Sequence, residues 1–170
     1  MTNNSTQPAR QPVVVERTWE ADVQDLWDLW TTKDGFESWW GPEGFRVDVH
    51  EIDPRVGGKL SYDMIAVGAE QVAFMERAGQ PTSHPAHGVF TEIDPPHKLT
   101  LRHMMDFLPG VEPYEHHMHV EFFVEGKNVR MVVTLEPYHN EEMTVMAKQG
   151  FESQLTKVPA VLEARRARRK

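Results

Sequence analysis

Residues 115–136, "EHHMHVEFFVEGKNVRMVVTLE", decide the fold. Side chains on a strand alternate between faces, so His116, Met118, Val120, Phe122 and Val124 share one side, and His117, His119, Glu121, Phe123 and Glu125 the other. "EGKN" at 125–128 is a turn, and beyond it Val129, Met131, Val133 and Leu135 repeat the apolar set. The stretch therefore predicts an antiparallel hairpin with one face in a core and one toward water.

Working outward, segments near 45–52, 58–65, 87–93 and 98–106 carry the same β pattern, punctuated by "DPRVGG", "DPPH" and "LPGVEP". With the hairpin they make six consecutive strands, most simply a meander. "VVVERTW", 13–19, is a further β-branched strand. "EADVQDLWDLWTT" spaces Val23, Leu26, Trp27 and Trp30 as a short amphipathic helix with Asp22 as its cap, and "KDGFESWWGPEG" reads as a second helical turn ending at Gly41 and Pro42. The 66–86 stretch is a long insertion with a short helix expected at 69–77, either a functional lid or simply a long loop.

After 140 the period changes to that of a helix. Phe151, Leu155, Val158 and Leu162, extended backward by Met143, Met146, Ala147 and Gly150, predict one long amphipathic helix over 141–167, with a kink or early end at Pro159. A helix and a sheet that each have one apolar face bury those faces together, and the space between them is a natural place for a cavity. The organisation expected is a disordered leader over 1–12, one domain over 13–165 and a solvated basic tail over 166–170.

Composition closes several branches of function. A chain of 170 residues suits one domain. A net charge of -8 argues against a nucleic-acid binder. No apolar run approaches the roughly 18 residues of a membrane span, and the first residues do not read as a secretory signal, so no membrane insertion and a cytoplasmic address are expected. Without cysteine there is no disulfide and no thiolate chemistry. Catalysis, if any, would fall to His, carboxylates, hydroxyls or Tyr.

Four histidines crowd residues 103–119. Parity divides them: His103 and His116 point inward with Leu99, Leu101 and Met105, while His117 and His119 point outward. A metal site needs three or four converging ligands, and no HExxH or similar spacing exists, so neither metal nor cofactor is expected. An acid–base pair of His103 or His116 with Tyr62 or Tyr114 stays open beside a pocket-wall reading. In the latter, Met64, Met105, Met118, Met131, Met143 and Met146, with Tyr62, Phe107, Phe122 and Phe151, form an adaptable lining, and His103 and His116 orient a small apolar molecule. Trp39 and Trp40 either staple the second helix over the sheet or contribute one ring to the pocket mouth. Outward Met104, Phe123 and Val132 mark an apolar strip that would suit a homodimer or the seat of the short helices.

The ordered motifs "WWGPEGF" at 39–45, "DPRVGGKLSYDM" at 53–64, "GVFTEIDPPHKL" at 88–99 and "GFESQLTKV" at 150–158 resemble the START-like helix-grip (SRPBCC) superfamily. Within it the chain is similar, over residues 12–163, to proteins homologous to the C-terminal domain of the activator of the heat-shock-protein-90 ATPase. The resemblance implies an α+β helix-grip fold: a curved antiparallel seven-stranded sheet around a long C-terminal helix, with two short helices after the first strand and a hydrophobic cavity inside. It also implies a range of functions, from small-molecule carriage to chaperone partnership and polyketide cyclase/dehydratase chemistry, among which fold does not choose. The 66–86 insertion and Pro159 depart from the family's simplest members.

Overall fold

The computed structural model describes residues 11–106 and 110–168. Seven strands form one antiparallel sheet, curled into a half-barrel: β1 (Val13–Glu20), β2 (Phe45–Ile52), β3 (Lys59–Ala66), β4 (Ser83–Asp94), β5 (Lys98–Met105), β6 (Tyr114–Glu125) and β7 (Asn128–Leu135). Strands β2 to β7 follow one another as the expected meander, and β1 closes the other edge by pairing with β7, Val15 opposite Val133. The β2–β3 turn needs its glycines: Gly57 has φ +83°, and a Cβ on Gly58 would lie 1.9 Å from the Asp53 carbonyl oxygen.

The parity read from the sequence holds where it matters. Met118, Val120, Phe122, Met131, Val133 and Leu135 are all buried, as are Leu99, Leu101, His103 and Met105 on β5. Val124 has inward parity but is exposed, at the far end of β6. On the outer face Arg130 lays its guanidinium 4.5 Å above the Phe123 ring, so part of the apolar strip is already covered.

One end of the inner sheet face is filled by α1 (Val23–Thr31) and α2 (Lys33–Trp39). The Asp22 carboxylate caps α1 by accepting from the Gln24 N–H at 2.8 Å, and Thr32 Oγ1 caps α2 by accepting from Gly35 N–H at 2.9 Å. Trp30, Phe36 and Trp39 are fully buried, Trp30 and Trp39 meeting edge to face at 5.1 Å. Trp39 donates its indole N–H to the Leu29 carbonyl at 2.8 Å, which staples α2 to α1.

The insertion does contain a helix, α3 (Ala69–Arg77), none of whose residues is buried. The long C-terminal helix is two helices, α4 (Glu141–Leu155) and α5 (Val158–Arg168), with the break at Thr156–Lys157 just ahead of Pro159. Proline thus falls in the first turn of α5, where its missing N–H has no helical partner to lose. Of the expected basic tail, residues 166–168 are described, and they are helical and exposed. Helix α5 runs to Arg168, Arg165 reaches Asp28 and Asp34 on α1 and α2 at 3.6 and 3.2 Å, and Arg166 donates to the Glu20 carbonyl at 2.6 Å. Asp28 and Asp34 draw Arg165 to the helix–helix corner, while Arg166 is held by a backbone oxygen.

Candidate functional site

At the other end of the same sheet face α4 stands off from the strands, and a cavity of about 550 Å³ opens between them. Helix α4 starts where Asn140 Oδ1 accepts from the Met143 N–H at 2.7 Å. From there Met143, Ala147, Gly150, Phe151 and Gln154 face the cavity at helical spacing. Two of the five are small, and a Cβ built on Gly150 would meet open space. The sheet supplies Tyr62 and Met64 from β3, Pro85 and Ala86 from β4, His103 and Met105 from β5, Met118 from β6 and Leu135 from β7. Methionine suits such a wall because its unbranched chain adapts to irregular shapes.

A buried polar chain runs through the wall. Trp40 donates its indole N–H to Tyr62 Oη at 3.0 Å, and Tyr62 Oη lies 3.0 Å from His103 Nε2. Trp40 also lies parallel to the His103 ring, 6.0 Å between centroids. Burial pushes the His103 imidazole down to about 4 and holds the Tyr62 phenol well above its ordinary range. Both groups are therefore neutral at pH 7.

The loop after α2 is clamped to the end of α4. Gly41 N–H donates to Gln154 Oε1 at 2.9 Å, Glu43 N–H donates to Ser153 Oγ at 3.1 Å, and Lys157 Nζ donates to the Gly41 carbonyl at 2.7 Å. These bonds set Trp40 and Pro42 at the cavity wall, so the "GFESQLTK" stretch both lines the cavity and holds its rim. Gln154 Nε2 and His84 Nε2 are buried atoms with no hydrogen-bond partner among the described residues, and both residues border the cavity.

Of the side chains expected to line a pocket, the structure brings together Tyr62, Met64, His103, Met105, Met118, Met143 and Phe151. Phe107 lies outside the described residues. Phe122 and Met131 have the expected inward parity but sit at the packed end, Phe122 against Trp27 at 6.0 Å and Met131 with its sulfur 3.3 Å from the Trp30 indole nitrogen. Met146 is exposed on the flank of α4. His116 is buried one layer back, stacked on Tyr138 at 3.8 Å, and donates Nε2–H to the Glu136 carbonyl at 2.6 Å. It is Tyr138 that borders the cavity. Tyr114, the other hydroxyl considered, bonds His139 Nδ1 at 3.0 Å instead.

His117 and His119 lie on the outer face as parity requires. His117 Nδ1 meets Glu136 Oε1 at 2.9 Å and His119 Nδ1 meets Thr100 Oγ1 at 3.0 Å. Among the described residues no three His, Asp or Glu side chains converge as a metal site would need. Likewise, no described helix is long and apolar enough to cross a membrane.

The sequence matches the family model described as activator of Hsp90 ATPase homolog 1-like protein over residues 20–163. The chain belongs to this family. Solved structures agree on the architecture. The AHSA1 protein from Silicibacter pomeroyi superposes with a TM-score of 0.72 at 19% identity, covering 91% of this chain and 99% of that one. A protein from Arthrobacter aurescens gives 0.71 at 23% identity over 91% and 87% of the two chains. One from Chromobacterium violaceum gives 0.70 at 19% over 90% and 97%. Likeness at this level of identity establishes the fold. No curated protein matches the chain.

Membership of the family thus accounts for the seven-stranded sheet and its helices, while the site must be read from the chain's own residues. Sequence reasoning missed Trp40 as a certain wall residue, and it missed Gln154, His84 and Tyr138 altogether. Gln154 left a signal: it falls four residues after Gly150 and three after Phe151, a polar residue inside an apolar helical stripe. His84 lies at the start of β4, in a stretch the sequence assigns to the 66–86 insertion, and Tyr138 lies in the β7–α4 connection, so neither left one.

Proposed function

We propose that this protein binds a small, largely apolar molecule in the cavity between the sheet and α4. The observation that carries the reading is the cavity itself: about 550 Å³, walled by methionine and aromatic side chains, with one hydrogen-bonded Trp40–Tyr62–His103 chain set into the wall. Ligand sites of small-molecule binders have this volume and this mixture of broad apolar lining with few placed polar groups. The state of the polar pair favours holding a ligand over transforming it. General acid–base catalysis works best when the group titrates near the working pH, and His103, held at about 4, and Tyr62, held far above neutrality, are both displaced from it.

Native mass spectrometry of the purified protein, followed by denaturation to release bound material, tests the reading. A stoichiometric adduct of low mass and apolar character is expected. An apo spectrum that also stays unchanged on titration with uncharged apolar compounds would contradict it.

A further inference from the structure

Resting on that reading, we propose that the cavity selects an uncharged, largely apolar molecule that carries an oxygen acceptor, and that Gln154 Nε2 donates to that oxygen. No Lys, Arg, Asp or Glu borders the cavity among the described residues. A ligand carboxylate or ammonium would meet none of these to replace its hydration, which is costly in an apolar site. The ligand is therefore neutral.

Gln154 supplies the selective contact. The residue is only 4% exposed, and Gly41 N–H fixes which end of the amide is oxygen, because that N–H needs an acceptor. Nε2 is then the donor end of the amide, and among the described residues it finds no partner although Gln154 lines the cavity. A buried amide donor left unpaired is destabilising, so a ligand carbonyl or hydroxyl that meets it gains more than a hydrocarbon of the same shape. His84 Nε2 is a second buried nitrogen without a partner at the cavity, and the Tyr62–His103 pair adds a neutral polar contact to the wall.

Isothermal titration of the full chain with 2-acetylnaphthalene, 2-ethylnaphthalene and 2-naphthoate at pH 8 tests the proposal. The ketone-to-hydrocarbon affinity ratio is expected to fall about five- to tenfold in Gln154→Met, and naphthoate to bind at least about tenfold more weakly than the ketone. Gln154→Leu is the second variant: it also removes the donor, with a side chain of different shape, so the ratio should fall there too. A ratio unchanged in both variants, or naphthoate binding as tightly as the ketone, would overturn the selectivity while leaving the apolar cavity as the ligand site. Failure of all three compounds to bind wild type would instead remove both proposals.

Discussion

Under α1 and α2 the inner face of the sheet meets Trp27 and Trp30, which lie on Phe122 and Met131; under α4 the same face looks toward Met143, Ala147 and Gly150 across open space. The strands do not differ in kind between the two ends, for both present buried aliphatic, aromatic and methionine side chains. The helices differ. Indole and phenyl rings reach from α1 and α2 and fill the first end, whereas α4 presents two residues too small to reach the sheet. The cavity is thus written in side-chain size on one helix, within a core that elsewhere closes.

The largest effect is expected at the packed end. Trp30→Ala removes a fully buried ring that touches Trp39, Trp40 and Phe151, and should cost about 3–5 kcal/mol in denaturant unfolding. A cost below that of an exposed substitution would mean the two ends are equally loose.

At the open end the buried imidazole ties stability to pH. His103 has its folded value pushed down to about 4 from an ordinary 6.5, so between those values the unfolded chain binds the extra proton. Stability is then complete above about pH 6.5 and falls as pH drops toward 4, by about 2–3 kcal/mol in all. Unfolding free energies at pH 7 and pH 4.5 should show this loss in wild type and a clearly smaller one in His103→Gln. Equal losses would place the acid sensitivity elsewhere.

The smallest effect belongs to the corner where α5 meets α1 and α2. Arg165, whose side chain is 14% exposed, pairs with Asp28 and Asp34. Asp34 is open to solvent and Asp28 half-buried, so Arg165→Met should lower stability by no more than about 1 kcal/mol, and less in high salt. A larger, salt-independent loss would make that corner part of the core.

Much of this architecture was legible in the sequence because strand parity and helical period are local. The meander, the inward set of β5 to β7, the Asp22 cap and the helix at 69–77 follow from neighbouring residues alone. Parity gives the face and not the distance along the strand, which is why Phe122 and Met131 were expected in a pocket wall and lie instead beneath tryptophans. Helical period has a similar width: Met146 shares the apolar run of α4 yet sits about 85° round from the middle of the inward residues, where solvent reaches it. Which of the two inward histidines would border the cavity depended on Tyr138, a residue of the β7–α4 connection that covers His116. Wall residues such as Trp40 and Gln154 meet only through loop contacts distant in sequence, and no spacing rule reaches them.

The most direct test of the account is to fill the open end without disturbing the packed one. Gly150→Leu places a side chain where a Cβ meets nothing and improves helix propensity by up to about 1 kcal/mol. Titration of N-phenyl-1-naphthylamine, an uncharged fluorescent probe, should then give binding at least about tenfold weaker than wild type, with the unfolding midpoint equal or higher. Probe affinity unchanged in a stably folded Gly150→Leu protein would contradict the claim that the space beside α4 is the ligand site.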